Sequence, residues 1–457
     1  MQPQPLGAVL GLGLIFLATP SAWTSAQDAP APNYLKWAAT PPMGWNSYDA
    51  FGDSVTEAEV MANAVYIEHH LLPHGWKYVV VDYRWYDPGA HDNNPNGRKG
   101  AELAMDRFGR VLPAPNRFPS NVDGEGYKPL ADRLHAMGLK FGIHIMRGIP
   151  RVAVKANLPI EGTAFHAWDA CSFNICPWNP DMFGVDATAP AGRAYYDSIF
   201  RLYASWGVDF VKVDDLSNPY EKDEIHSIRD AIDKCGRPIV FSTSPGETPV
   251  DQAGDIRTHA NMWRISNDFW DRWGLLNQTF DLAAAWHGHG GPGHWPDFDM
   301  LAVGKIGIRS VDQPRMTRFT HDEQLTLFSL WALGPSPLMV GANLPDNDDW
   351  TTALLTNDEM LRVNQDPLGR QGARVSQRSG AEVWVKELQD GSKAIGLFNR
   401  SDVSQTVTLT WAAAGLTGKQ TLHDIWRHKD LGSFDQTFAS PVPAHGVVFL
   451  CAKAATF

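Results

Sequence analysis

The chain has 457 residues, 44% of them hydrophobic and 20% charged, and its formal net charge is −12. That composition excludes a disordered or collagen-like chain, and the length allows two or three domains, or one large barrel with an added module. The acidic balance repels phosphate backbones and anionic bilayer surfaces, which argues against nucleic acid and membrane partners.

In chain order, a targeting signal comes first. Residues 6–18 form an apolar run of about 13, short of the about 20 needed to cross a bilayer as a helix. Small residues follow, and Thr24-Ser25-Ala26 offers a cleavage site before Gln27. Residues 1–26 therefore read as a signal peptide, so the mature protein is expected to be exported, periplasmic or extracellular, with no membrane attachment after cleavage. In that oxidising setting Cys171 and Cys176 are close enough in sequence to form a disulfide. Cys235 and Cys451 read as buried small apolar residues.

From about residue 36 to 365, short apolar strands alternate with amphipathic helices. Strands are expected at 77–81 (KYVVV), 139–145 (LKFGIHI), 210–213, 238–242 (PIVFS), 262–265 and 337–340. Between them, Thr56 and Glu59 form a capping box opening a helix toward His69. Leu130, Leu134 and Met137 share a helical face stopped by Gly138. Tyr196, Ile199, Phe200 and Tyr203 follow i, i+3, i+4, i+7 spacing before Gly207, and Ile225, Ile228 and Ile232 repeat the pattern before Gly236. Repeated βα units imply a parallel sheet, and eight of them fit into about 330 residues as a (β/α)8 TIM barrel with long loops; an open doubly wound sheet is the alternative. After Leu368-Gly369 the pattern alternates apolar and polar, with a hairpin signal at Asp390-Gly391. The expected domains are residues 27–368, the barrel, and 369–457, an antiparallel β-sandwich.

Chemistry in a TIM barrel gathers at the C-terminal ends of its strands. That rule selects Trp45, Asp82, His144, Lys212, Asp214, Asp215, Ser244, Arg264, Asp268, Asp297 and Asp299. Several acids on one rim, with tryptophans among them, outline a glycosidase site, in which two carboxylates flank the scissile bond and aromatic faces cover a sugar ring. The bland readings stand beside this: a strand-end Asp is often a helix N-cap, and Trp45 and Trp295 are the kind of residue that fills cores. Asp214 is harder to dismiss, since Lys-x-Asp-Asp after an apolar strand brings opposite charges together. His287, His289 and His294 lack the spacing of a metal site, and Gly288–Gly293 lacks the Lys-Ser/Thr of a phosphate loop, so no metal or cofactor is expected. The sequons at Asn277 and Asn399 decide nothing on their own.

The segment PPMGWNSYDAFG at 41–52 resembles the opening of the melibiase family, glycoside hydrolase family 27, which contains α-galactosidases and α-N-acetylgalactosaminidases. Further matches are LKFGIH (139–144), DFVKVD (209–214), WRISND (263–268), GPGHWPDFDML (291–301) and LTNDEMLRVNQDPLG (355–369). The six motifs stand in the family's order, and the resemblance covers nearly all of the mature sequence.

The resemblance implies a retaining mechanism on a (β/α)8 barrel followed by a β domain. It makes Asp214 the nucleophile and Asp268 the acid/base. Asp82, His144, Lys212, Ser244, Arg264 and Asp299 then bind the sugar, and Trp45 is the stacking platform. Retention of configuration places the two carboxyl groups about 5–5.5 Å apart. Four positions depart from the family's pattern. Tyr83 stands where an Asp is familiar, and His144 where a Tyr is frequent. Leu216 replaces a Cys. Ser244 stands where α-galactosidases carry a Glu for the sugar 2-hydroxyl, as in the α-N-acetylgalactosaminidase branch, unless Glu247 swings in. The expected activity is exo-hydrolysis of terminal α-galactosyl residues. The alternatives are the same mechanism on α-N-acetylgalactosaminides or β-L-arabinopyranosides, a non-catalytic carbohydrate-binding barrel, and a metal-dependent lyase or isomerase. The expected partner is a carbohydrate; the sequence leaves the oligomeric state open, a homo-oligomer included.

Overall fold

A computed structural model describes residues 1–2, 33–91 and 101–455. The expected signal segment, beyond its first two residues, and its cleavage site lie outside the described residues. Among the described residues no helix is long and apolar enough to cross a membrane.

Eight parallel strands form the first sheet: β1 (Met43–Asn46), β2 (Tyr78–Val81), β3 (Lys140–Met146), β4 (Phe210–Asp214), β5 (Val240–Thr243), β6 (Met262–Arg264), β7 (Trp295–Asp297) and β8 (Leu338–Val340). They pair in the order β7-β6-β5-β4-β3-β2-β1-β8. The remaining seam, between β7 and β8, closes through a parallel bridge from Leu301 to Val340, with Leu301 N donating to Met339 O at 2.7 Å. The sheet is thus the expected TIM barrel, and the open sheet is not formed.

Strand periodicity decides what points inward. Tyr78, Val80, Phe210, Val240, Met262, Trp295 and Met339 form an apolar plug inside the lower barrel. Their neighbours Val79, Val81, Phe141, Ile143, Val211, Val213, Phe241 and Trp263 face the helix layer and join the main core. Space inside is short near β1–β3. A Cβ on Gly44 would meet Tyr78 O at 2.4 Å, and one on Gly142 would meet Val80 Cγ2 at 2.9 Å.

The helices lie where the periodicities predict them. The Thr56–Glu59 capping box is formed and opens the helix Glu57–Tyr66. Tyr196, Ile199, Phe200 and Tyr203 are buried on Pro190–Trp206, which ends at left-handed Gly207. Ile225, Ile228 and Ile232 are buried on Lys222–Lys234.

A short insert after β3 builds a small antiparallel sheet from Ile149–Pro150, Cys171–Ile175 and Met182–Val185. The cysteine pair expected here is not formed. All four cysteines are free. The segment Cys171–Ile175 is a bulged strand with left-handed Phe173, and this turns the Cys171 sulfur onto its own backbone, where it accepts from the Phe173 amide at 3.3 Å.

The C-terminal strands are β9 (Ala373–Arg378), β10 (Ala381–Glu387), β11 (Lys393–Asn399), β12 (Gln405–Thr410), β13 (Gln420–Asp424), β14 (Lys429–Phe434), β15 (Thr437–Val442) and β16 (Val447–Ala454). Six make one antiparallel sheet in the order β9-β10-β11-β16-β13-β14; β12 and β15 pair separately, and Val407, Leu409 and Val442 share a core with the inner face of the larger sheet. This is the expected sandwich. Its other face packs on the helix His321–Leu333, which is buried nearly all round, so Trp384, Phe398 and Phe449 join the same core as the barrel's helices. Asn399 is buried, and its amide donates to Val403 O, Val442 O and Pro443 O, so this sequon is not presented for modification.

Candidate active site

The polar half of the inward-facing set begins above the plug. On β4 the alternation that sends Phe210 downward into the plug puts Lys212 and Asp214 on the same face. On β2 it raises Asp82 above Tyr78 and Val80, on β3 it turns His144 inward beside Gly142, and on β5 it aligns Ser244 with Val240 and Ser242. Arg264 follows Met262 on β6. These side chains open into a cavity of about 610 Å³ at the C-terminal end of the barrel.

Its walls include Asp82, Lys212, Asp214, Asp215, Ser244, Arg264, Asp268 and Asp299, all selected from sequence. His144 stands directly behind the wall. Its Nε2 hydrogen-bonds Asp214 Oδ2 at 2.8 Å, and Asp214 Oδ1 accepts the Asp215 amide at 2.6 Å. Lys212 does not take Asp214 as its closest partner; its ammonium lies 3.0 Å from Asp82 Oδ2, which also accepts from Asn46 Nδ2 at 2.6 Å. Burial pushes the Asp82 carboxyl up, but Lys212, His144 and the hydrogen bonds from Tyr83 N and Asn46 outweigh it and hold the carboxyl well below its ordinary range. Burial likewise pushes Lys212 down, and Asp82, Asp299 and Asp214 more than reverse it, so the cation is held firmly.

The opposite wall is anchored by Arg264. One guanidinium nitrogen lies 2.7 Å from Asp299 Oδ2 and 3.3 Å from Asp268 Oδ1. Asp299 has a left-handed backbone (φ 85°) and accepts the Phe269 amide at 2.7 Å, which ties the strand-seven loop to the loop carrying Asp268. The Asp268 side chain is 63% exposed and stands at the mouth, whereas Asp214 lies deep. Asp297 sits below, out of the cavity wall, and burial pushes its carboxyl up to about 6.

Several polar atoms here lack hydrogen-bond partners among the described residues: Ser244 Oγ, Arg264 Nε and His144 Nδ1. Buried polar groups are normally satisfied, so orphans gathered around one cavity point to a polar ligand.

One assignment fails. Trp45 does not line the cavity. It is fully buried, its indole donates to Ala342 O at 2.6 Å, and its ring packs edge-on to Phe51. The reason is parity: Met43 and Trp45 face the helices, while Gly44 and Asn46 face the barrel axis. Glu247 does not swing in either; its carboxylate accepts weakly from Asn267. The aromatic groups at the cavity are instead Tyr48, Tyr83, Trp178, Phe269 and Trp270, with Met300 beside them. Asn179 donates to the Tyr83 hydroxyl at 2.7 Å, and the Tyr83 ring meets His144 edge-on at 5.6 Å. Tyr48 opens the short helix Tyr48–Phe51, and the others come from loops, where periodicity gives no signal. For Tyr48 the usable clue was its place two residues past inward-facing Asn46.

Among the described residues, His226, Asp255 and His259 are near enough together to hold a metal ion. None of them lines the cavity, and Asp255 is already engaged by Tyr220 at 2.7 Å and Lys222 at 3.2 Å.

Comparison with known proteins gives a consistent picture. The family profile of alpha galactosidase A matches residues 184–366, and that of the alpha galactosidase C-terminal beta sandwich domain matches residues 378–452. The chain is 30% identical over 411 residues to an α-galactosidase of Oryza sativa subsp. japonica, covering 88% of this chain and 82% of that one. It is 30% identical to α-galactosidase A of Cellvibrio japonicus, covering 97% and 98%. Among solved structures, a family 27 β-L-arabinopyranosidase from Geobacillus stearothermophilus, in complex with arabinose, is 48% identical with a TM-score of 0.91, covering 93% of this chain and all of that one.

Proposed function

The chain belongs to the melibiase family, glycoside hydrolase family 27, and on that premise we propose that it removes terminal α-galactosyl residues from oligosaccharides or glycoconjugates by a retaining double displacement. It is a glycoside hydrolase of the α-galactosidase type, and its substrate is a carbohydrate.

The observation that carries the mechanism is that Asp214 and Asp268 line one cavity at different depths. Asp214, deep and oriented by His144 and the Asp215 amide, attacks the anomeric carbon. Asp268, at the mouth, protonates the departing oxygen. The resulting glycosyl ester on Asp214 is then hydrolysed by water that Asp268, now a carboxylate, deprotonates, so two inversions give net retention. Asp82, Lys212, Arg264, Asp299 and Ser244 hold the sugar hydroxyls, and the Asp82–Lys212 and Arg264–Asp299 pairs fix these groups before substrate arrives. No metal or cofactor enters this scheme. The protein acts outside the cytoplasm after loss of residues 1–26, in keeping with the apolar run near its start.

A second reading changes the sugar. β-L-Arabinopyranose has the ring configuration of α-galactose without the exocyclic hydroxymethyl group. The 48% identity to a β-L-arabinopyranosidase favours it, as does the phenol of Tyr83 in the wall, which takes up room where a carboxylate would leave a polar opening. Ser244 favours α-N-acetylgalactosaminides in the same way, because its small side chain leaves space beside C2.

The test is a panel of aryl α-galactoside, aryl β-L-arabinopyranoside and aryl α-N-acetylgalactosaminide, with the first-formed anomer followed by NMR. Retention on a galacto-configured glycoside supports the proposal, and the ranking of kcat/KM chooses the sugar. Inversion, or turnover surviving in Asp214→Asn, overturns the mechanism. Binding without turnover on every glycoside would support a carbohydrate-binding barrel instead.

A further inference from the structure

A glycosidase that cuts a terminal sugar must also let the rest of the substrate out. The leaving oxygen faces the acid/base, so the exit runs past Asp268. The loop that carries Asp268 continues into Trp270, Asp271 and Arg272. Trp270 and Arg272 line the catalytic cavity, and both also line a second cavity of about 410 Å³ together with Val311, Asp312 and Arg318. The two cavities therefore share a wall on the acid/base side.

That wall is built and braced. The Asp271 side chain is fully buried, and it accepts from Arg315 at 2.8 Å and from the Arg318 amide at 2.7 Å. This fastens the Asp268 loop to the hairpin Lys305–Ile306/Arg315–Met316. The Trp270 ring is held beside Tyr48, with centroids 6.5 Å apart. Arg315 and Arg318 each lie 3.0 Å from Asp312, which fixes the far side of the second cavity. Arg272, between the cavities, has no carboxylate partner among the described residues and so keeps its donors for something else.

We propose that the second cavity is an aglycone subsite, in which the penultimate sugar of a neutral oligosaccharide stacks on Trp270 and is hydrogen-bonded by Arg272 and Arg318. A pyranose offers one apolar face and a rim of hydroxyls, which an indole beside two guanidinium groups accommodates. The inference rests on the retaining exo-glycosidase reading and deepens it: the enzyme selects for what precedes the terminal sugar as well as for that sugar.

The test compares two substrates with the same glycone, chosen from the aryl panel: its glycosyl fluoride, whose leaving group reaches no subsite, and its glycoside with a second sugar. The variants are Val311→Glu and Arg318→Ala, both outside the catalytic cavity. The readout is kcat/KM, which covers all steps up to aglycone departure. The expected result is a tenfold or greater fall in the ratio of disaccharide to fluoride kcat/KM in each variant, carried mainly by KM for the disaccharide. An unchanged ratio in both variants, whether both substrates suffer together or neither does, overturns the subsite. A wild-type enzyme that turns over neither substrate removes the glycosidase reading itself, and the subsite with it.

Discussion

Two clusters of buried charge invite comparison, one at the barrel mouth and one where the sandwich meets the barrel. In the junction, Glu382 is fully buried and saturated. It accepts from Trp384 Nε1 at 2.8 Å and Gln377 Nε2 at 3.0 Å, and it pairs with Arg374 and Arg400, which also bind Asp281. Nearby Lys386 spends its ammonium on Ala332 O and Val363 O. At the mouth, the Asp82–Lys212 and Arg264–Asp299 pairs are as well buried, yet Ser244 Oγ, Arg264 Nε and His144 Nδ1 are left over among the described residues. Saturation makes the first cluster a joint; the leftover donors make the second a receptor. Burial of charge alone would not have told them apart.

The comparison breaks most sharply at Asp214. Replacing it with Asn should lower kcat on aryl glycosides by a factor on the order of 10⁴. The melting temperature should hardly move, because the site is arranged for reaction rather than for stability; steady-state assay with a thermal melt checks both. Asp268→Asn comes next, with a loss of roughly 10²–10⁴-fold that is largest for substrates whose leaving group needs a proton and smallest for activated aryl glycosides. A loss independent of leaving-group pKa would deny Asp268 its role.

The junction should show the reverse pattern. Glu382→Gln leaves Arg374 and Arg400 without their buried partner and should cost about 3 kcal/mol of stability. The kcat of the protein that remains folded should stay near the wild-type value; denaturant unfolding and active-site titration separate the two quantities.

The smallest effect is a slope. Burial holds the Lys386 ammonium down to about 7, against an ordinary value of 10.5. Between those pH values the unfolded chain binds the proton that the folded chain has released, so stability rises with pH across that window, and the penalty for a buried cation is present in full below it. Urea unfolding at pH 7 and pH 9 should show the rise in the wild type and a shallower one in Lys386→Met. An equal slope in both removes Lys386 from the account.

The sequence made much of the barrel legible because strand ends obey a period of two. Lys212 and Asp214 had to share a face, and Asp82, Arg264 and Asp299 stood at equivalent places. The same rule, applied to MGWN, turns Trp45 away from the cavity, since Gly44 and Asn46 alternate with two large apolar residues. Closeness in sequence pairs Lys212 with Asp214. Its closest carboxylate, Asp82, lies 130 residues away and becomes near only when β2, β3 and β4 lie side by side. Trp178 and Trp270 are illegible for a different reason: they sit on irregular loops, beside Asn179 and Asp271, whose hydrogen-bond partners Tyr83 and Arg318 lie far away along the chain.

The helix His321–Leu333 has a consequence for anyone wishing to shorten this polypeptide. One of its sides completes the cylinder and the other floors the sandwich, so the two halves have no seam of their own. Cutting after residue 368 would strip Trp384, Phe398 and Phe449 from their neighbours and lay a greasy strip of the catalytic half open to water. The hydrolytic half cannot be harvested as a minimal enzyme; its tail is part of the foundation.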